Sequence, residues 1–185
     1  DRAAKITLPG PFTMGQQVKD VKSQPVGTLE DIIVSLKRKY PSATRLVVKQ
    51  GRKRITIPWE LVRSFEESLT LLGVTRDKIE EPPPAENEIS LAGDILDKQI
   101  VDTEGHKLIR VNDLQLARAD GRLRVVGVDI SGGALIRRLG LGKIASRFSR
   151  RVQPHLLDWK VVEPVSGEAR NVKLKVTHDK LALLH

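Results

Sequence analysis

The sequence predicts a mainly β protein: two small β-barrels in tandem, with short helices in a basic insertion of the second. Three observations predict it. The segments "VTRDKI" at 74–79 and "VTHDKL" at 176–181 say nearly the same thing about a hundred residues apart. An acidic, proline-rich stretch, "EEPPPAENE", lies between them at 80–88. The chain on either side is built of short β-branched runs bounded by turn residues.

Sliding the chain against itself extends the repeat. Val18-Lys19-Asp20 aligns with Ile100-Val101-Asp102, and Val26 with Leu108. Leu29-Glu30-Asp31-Ile32 then aligns with Val111-Asn112-Asp113-Leu114 without a gap. Arg45-Leu46-Val47-Val48 falls near Arg124-Val125-Val126, and Trp59-Glu60-Leu61-Val62 on Trp159-Lys160-Val161-Val162. The offset grows from 82 to about 100, which places an insertion in the second copy over roughly 133–153. Three consecutive prolines enter neither a helix interior nor a central strand. The expected organisation is therefore a first barrel over 1–79, a linker over 80–89 and a second barrel over 90–185. Each half is expected to fold alone when the chain is cut near Pro83.

Within each copy the local signals favour strands. "TRLVVKQ" and "RLRVVGVDI" are short and β-branched, and "RKRITI" alternates charged and apolar residues at period two. "VDTEGHKL" reads as strand, turn, strand, with Gly105 free to take the positive φ of a tight hairpin. The matching residue in the first copy is Ser23, so that turn is expected to close differently. A closed barrel removes the sheet edges that otherwise invite aggregation.

Composition sets bounds on function. Hydrophobic residues make up 39% of the 185, but aromatics only 3%, so the core must be aliphatic. Trp59 and Trp159, the only tryptophans, take equivalent places beside apolar residues and are expected to plug each barrel rather than stack on bases. Burying such a ring contributes on the order of 2–3 kcal/mol. The net charge of +9 favours an anionic partner: nucleic acid, a membrane surface or an acidic protein face. With no cysteine, disulfides and thiolate metal sites are excluded. No run reaches the roughly 18 apolar residues of a membrane span, and no signal-peptide pattern opens the chain. These features fit a cytoplasmic location. A start at Asp1 without Met reads as a fragment or processed form, and "KLALLH" as a helix start cut from something longer.

The repeat unit resembles the PRC-barrel, the small β-barrel shared by the photosynthetic reaction-centre H subunit and the ribosome-maturation protein RimM. The carrying stretches are "GQQVKDVKSQPVGTLEDIIVSL" and "LAGDILDKQIVDTEGHKLIRVNDLQL". Both look like the family's opening: a short strand, a D-x-x-G-type turn, then a strand with an acidic residue and apolars. The first copy departs from it at the turn glycine. Tandem barrels followed by "DKLALLH" also resemble the N-terminal part of bacterial proteins that continue into an MgtE-type intracellular helical domain, often with CBS domains. The resemblance implies docking or regulation in a protein linked to magnesium transport.

Catalytic patterns are thin. His106, His155, His178 and His185 form no H-x₃-H or H-E-x-x-H pair, and read as solvated or turn residues. There is no G-x-S-x-G elbow and no P-loop. In "SGGALIRRLGLG", Ser131 caps a helix starting near Ala134, an anion site in one reading and a plain cap and turn in the other. Asp94, Asp97, Asp102 and Glu104 offer hard oxygen ligands to Mg²⁺, but Lys98 and Lys107 lie among them and a solvated hairpin accounts for them equally. No enzyme, cofactor, metal site or small-molecule substrate is expected.

The cations carry the functional signal. Lys37, Arg38, Lys39, Arg45, Lys49, Arg52, Lys53 and Arg54 form a set with no acid between Ile32 and Trp59. A second set lies in the insertion: Arg137, Arg138, Lys143, Arg147, Arg150 and Arg151. There Leu135 and Leu139, then Ile144 and Phe148, are four apart, which puts apolar residues on one helical face and cations on the other. Such a segment docks on a partner or an anionic membrane, or covers the end of its own barrel. The partner-binding residues expected are Lys37, Arg38, Lys39, Arg52, Lys53, Arg54 and the six of the insertion. The expected partner is a protein or the helical domain following in the same chain. The alternative is an RNA or ribosome-associated binder, although RNP1 and GXXG signatures are absent.

Overall fold

A computed structural model describes residues 14–66, 68–96, 99–102, 108–111, 113–129, 156–165 and 173–176. The described chain is mainly β, as the sequence predicts. The helical insertion over 133–153, Gly105, Ser131, Asp97, Glu104 and all four histidines lie outside the described residues.

The chain divides into two compact units: Asp1–Gly93 with Leu116–Val125, and Asp94–Gln115 with Val126–His185. The first contains β1 (Gln17–Lys19), β2 (Pro25–Ser35), β3 (Ser42–Gln50), β4 (Lys53–Pro58), β5 (Val62–Phe65), β6 (Leu69–Leu72) and β7 (Glu88–Ser90). Its strands run in the order β3-β2-β1-β6-β5, with β4 on β3 and β7 on β2. β1 and β6 are parallel, and the other neighbours named here are antiparallel. Val18, Val26, Leu29, Ile32, Val34, Leu46, Val48, Ile57 and Leu72 are buried and form its aliphatic core.

Pro82–Pro84 stay outside the strands, but the stretch around them is tied to the first unit. Glu81 accepts the Thr56 N–H at 3.2 Å, and the Asn87 carbonyl accepts the Leu36 N–H at 2.9 Å. β7 then pairs with the second half of β2, Ile33 opposite Ser90. The segment Leu116–Val125, which the sequence reading places in the second copy, also belongs to this unit. It forms the tip of the hairpin of β10 (Asp113–Ala119) and β11 (Arg122–Asp129). Asp120 and Gly121 turn that hairpin at φ 51° and 69°, the pair of positive values that a two-residue hairpin loop demands.

The second unit carries a sheet in the order β13-β14-β8-β9: β13 (Val162–Val165), β14 (Lys173–Val176), β8 (Gln99–Asp102) and β9 (Leu108–Arg110). β8 and β14 are parallel, and the outer pairs antiparallel. This repeats β5-β6-β1-β2 of the first unit strand for strand. β12 (Leu156–Asp158) pairs with β11 as β4 pairs with β3. A single-turn 3₁₀ helix opens on each tryptophan, Trp59–Leu61 and Trp159–Val161, and in both the next N–H returns to the tryptophan carbonyl. Both rings are buried, 4% and 3% exposed, so neither offers a face for base stacking.

Strand register corrects the alignment at one place. Leu46 pairs with Ile57, and Val128 with Leu157. Leu46 therefore corresponds to Val128 and Arg45 to Gly127, three residues beyond the segment that matches by composition. Short β-branched runs slide easily past one another, and only pairing fixes their phase. The offset of 82 thus holds through β11, and the whole insertion falls between β11 and β12.

The first-copy turn closes without a glycine. Ser23 itself takes φ 60°, the conformation a glycine would supply. The Asp20 carboxylate holds it there, accepting the N–H groups of Lys22 and Gln24 at 2.9 Å each. The same carboxylate accepts the Arg76 N–H at 3.3 Å, and the Val74 carbonyl accepts the Val21 N–H at 3.1 Å. The "VTRDKI" segment is thereby bound to the first hairpin, which gives the repeated motif a structural role.

Candidate functional site

The first basic set separates into groups with different roles. Lys37, Arg38 and Lys39 are exposed in the turn from β2 to β3. Arg52, Lys53 and Arg54 are exposed at the turn from β3 to β4. β3 separates the two turns: nine residues at about 3.3 Å each span roughly 26 Å. They are two patches, not one. Among the described residues, only Arg54 of these six forms an ion pair, with Glu30. Arg45 is not available to a partner, because its guanidinium is paired with Glu88, which also accepts the Thr44 hydroxyl at 2.7 Å.

Arg137, Arg138, Lys143, Arg147, Arg150 and Arg151 lie outside the described residues. Their place in the chain order is nonetheless fixed by β11 and β12. The connection that carries them is the repeat equivalent of the β3–β4 turn, which carries Arg52. Cation-rich segments thus occupy the same connection in both copies. The other turn is not repeated in this way, since Arg38-Lys39 corresponds to Asp120-Gly121 at the offset of 82.

Beside the β3–β4 turn lies a groove of about 870 Å³. Its position follows from an interruption along one edge of β2. β1 accompanies β2 as far as Thr28, with Gly15 and Gln16 bonding Leu29, and β7 resumes at Ile33. Glu30, Asp31 and Ile32 are left between them, at a bulge in the β2–β3 register. Met14 and Gly15 line one side of the groove, and Ser90, Ala92 and Gly93 another; Val47, Lys49 and Arg54 also line it.

Asp31 takes the place of the missing strand. Its carboxylate accepts the Ile32 N–H at 2.7 Å, the Ala92 N–H at 2.9 Å and the Ser90 hydroxyl. Sequence reasoning did not single out this aspartate as a site residue. The signal was present in the gap-free match of Asp31 to Asp113, since Asp113 accepts the Leu114 N–H at the same 2.7 Å. Asp77 of the repeated motif is held below the ordinary carboxylate value, first by the Thr75 side chain and then by its own N–H and nearby Lys78 and Lys22, against a smaller opposing effect of burial.

Among the described residues no group of three His, Cys, Asp or Glu is placed to hold a metal ion, and no helix is long and apolar enough to cross a membrane. No protein-family model matches the chain, and no curated protein matches it.

Proposed function

We propose that this chain is a non-catalytic docking module: two PRC-like barrels in tandem that bind an acidic protein surface through the connections carrying Arg52, Lys53 and Arg54 and the insertion cations. The observation that carries the reading is the repeated position of those cations, on the same connection in each copy. The resemblance to MgtE-related proteins supplies the context: a regulatory part of a larger cytosolic protein linked to magnesium transport, with the following helical domain as the natural partner.

The competing partner is RNA. A nucleic acid strand needs a continuous positive track. Between the two basic turns of the first unit, midway along β2, stand Glu30 and Asp31. That interruption breaks a continuous positive track, which suits separate acidic side chains on a protein face better than a uniform polyanion. Titration of the whole chain with fluorescent single-stranded RNA at two salt concentrations, beside anionic liposomes, separates the partners. We expect RNA affinity no better than non-specific binding, about 10⁻⁴–10⁻⁶ M at physiological salt. Tight RNA binding that falls steeply with salt and is lost in Arg52→Glu/Lys53→Glu would replace the protein-docking reading.

A further inference from the structure

We propose that the groove between β1 and β7 binds a short extended segment of the protein partner in which an acidic residue stands beside an aliphatic one. This rests on the docking reading above and names the partner's chemistry at one place.

The charges of the groove are unequally committed. Asp31 keeps its charge but directs its carboxylate to three donors from the protein itself. Glu30 is paired with Arg54. Lys49, which lines the groove and is exposed, forms no ion pair among the described residues. Gly51 also lines the groove, Arg52 follows it in the turn and Lys53 opens β4. Glu30 and Arg54 offset one another and Lys49 offsets Asp31, so Arg52 and Lys53 leave the surroundings of the groove net positive, and the complementary visitor is acidic.

The apolar half of the recognition comes from Met14 and Val47. Met14 is 44% exposed, one of two large hydrophobic residues so exposed among the described residues. A flexible thioether at a groove rim adapts to aliphatic side chains of varied shape. Gly15, Gly51 and Gly93 line the same groove, and the space that an added Cβ would occupy at Gly15 and Gly51 is empty, so a chain can approach the backbone there. Along Glu30–Ile32, three residues or roughly 10 Å of β2, neither β1 nor β7 pairs with the strand.

The test uses the whole chain and two fluorescein-labelled peptides of equal length, one alternating Glu and Leu, the other Lys and Leu, read by anisotropy at low salt. We expect the Glu–Leu peptide to bind and the Lys–Leu peptide not to. Lys49→Glu and Met14→Asp should each weaken binding by about tenfold or more, roughly 1.4 kcal/mol. Arg122→Glu, an exposed cation on β11, which meets β3 at Ser42 and not at the Lys49 end, should leave it within about twofold. Thermal melts confirm that each variant is folded. Equal binding of both peptides, or binding indifferent to both Lys49→Glu and Met14→Asp, overturns the groove proposal. If Arg52→Glu/Lys53→Glu abolishes binding while the groove variants do not, the docking reading stands and the groove is not its seat. If neither peptide binds at all, the groove proposal fails, and the docking reading is decided separately by the RNA and liposome titration above.

Discussion

The indole N–H of Trp59 donates to the backbone carbonyl of Gly121 at 3.1 Å. The partners are 62 residues apart, and the acceptor stands at the turn of the β10–β11 hairpin. Three further contacts tie that tip to the first unit: Val125 N–H to the Pro41 carbonyl at 2.8 Å, the bridge of Arg124 to Ser42, and the Arg118 guanidinium to the Arg63 carbonyl at 3.4 Å. A cut near Pro83 leaves the first unit without all of these. We expect a fragment of residues 1–93 to unfold at clearly lower urea than the first unit of the whole chain. Adding a peptide of residues 113–129 should recover part of the difference. Each lost hydrogen bond contributes about 0.5–1.5 kcal/mol, and a buried donor left unpaired costs more. Equal urea midpoints for fragment and whole chain would show that the hairpin tip contributes nothing to the first unit.

Asp20 sets a pH dependence. The residue is 2% exposed. Burial pushes its carboxyl up, but the N–H groups of Gln24, Arg76 and Lys22, with the Arg76 charge, together outweigh burial and hold it below its ordinary value of 3.8. A folded value below the unfolded one means that the ionised carboxylate stabilises the fold. That contribution is complete above the unfolded value and is lost as pH falls through the lower folded value. Asp20→Asn should therefore lower the melting temperature at pH 7 and shrink the drop seen between pH 5 and pH 2. Asp77→Asn is the control, because that carboxyl is exposed and its effect is screened. A variant that melts like the parent at pH 7 would remove Asp20 from the set of groups holding the hairpin to the Arg76 turn.

Much of the strand architecture was legible because it depends on residues spaced a few positions apart. The tryptophans, the "VT-x-DK" pair and the match of Asp31 to Asp113 mark equivalent points in two runs of strands that pair in the same order. The membership of Leu116–Val125 in the first unit was not legible. Nothing in "LARADGRLRV" distinguishes a hairpin that stays with its own copy from one that does not, since either buries the same Leu116, Leu123 and Val125. The candidate site was legible by residue type but not by grouping. Lys37–Lys39 and Arg52–Arg54 read as one basic set because the strand between them is itself cationic, and only the length of β3 separates them. The groove was invisible for the same reason, being an interval between two strands some seventy residues apart in the chain.

Ser23 offers a gain in stability. At φ 60° its Cβ is crowded in a way that glycine avoids. Relief of about 1–2 kcal/mol is partly offset by the roughly 0.5–1 kcal/mol of extra chain entropy that glycine loses on folding. Ser23→Gly should raise stability by up to about 1 kcal/mol, read as a shift in urea midpoint at constant slope. The substitution makes the first-copy turn chemically like the second, where Gly105 stands at the matching position. Ser23→Ala, which removes the hydroxyl but keeps the Cβ, should show no such gain. Equal gains from both would trace the effect to the hydroxyl and not to the backbone conformation.

Gly27 is fixed by contact and not by conformation. A Cβ built there would lie 2.2 Å from the Lys49 carbonyl oxygen and 2.8 Å from a Val48 methyl group. The first of these is backbone in the partner strand, so the strain is not relieved by a side-chain rotation. Gly27→Ala must push β2 and β3 apart beside the bulge at Leu29–Asp31, where Gln50 also donates to the Val26 carbonyl at 3.1 Å. Overpacking of this kind costs about 1–3 kcal/mol, read as a lowered melting temperature. The same displacement would move Lys49, so the variant should also weaken binding of the Glu–Leu peptide while still folded. Gly51→Ala is the comparison: its Cβ meets nothing within 4 Å, but φ 62° makes the residue strained. It should lose stability without displacing β3. Unchanged stability in Gly27→Ala would mean that the β2–β3 register slips to accommodate the methyl group, and the Thr28 to Lys49 pairing would then be absent from its amide exchange pattern.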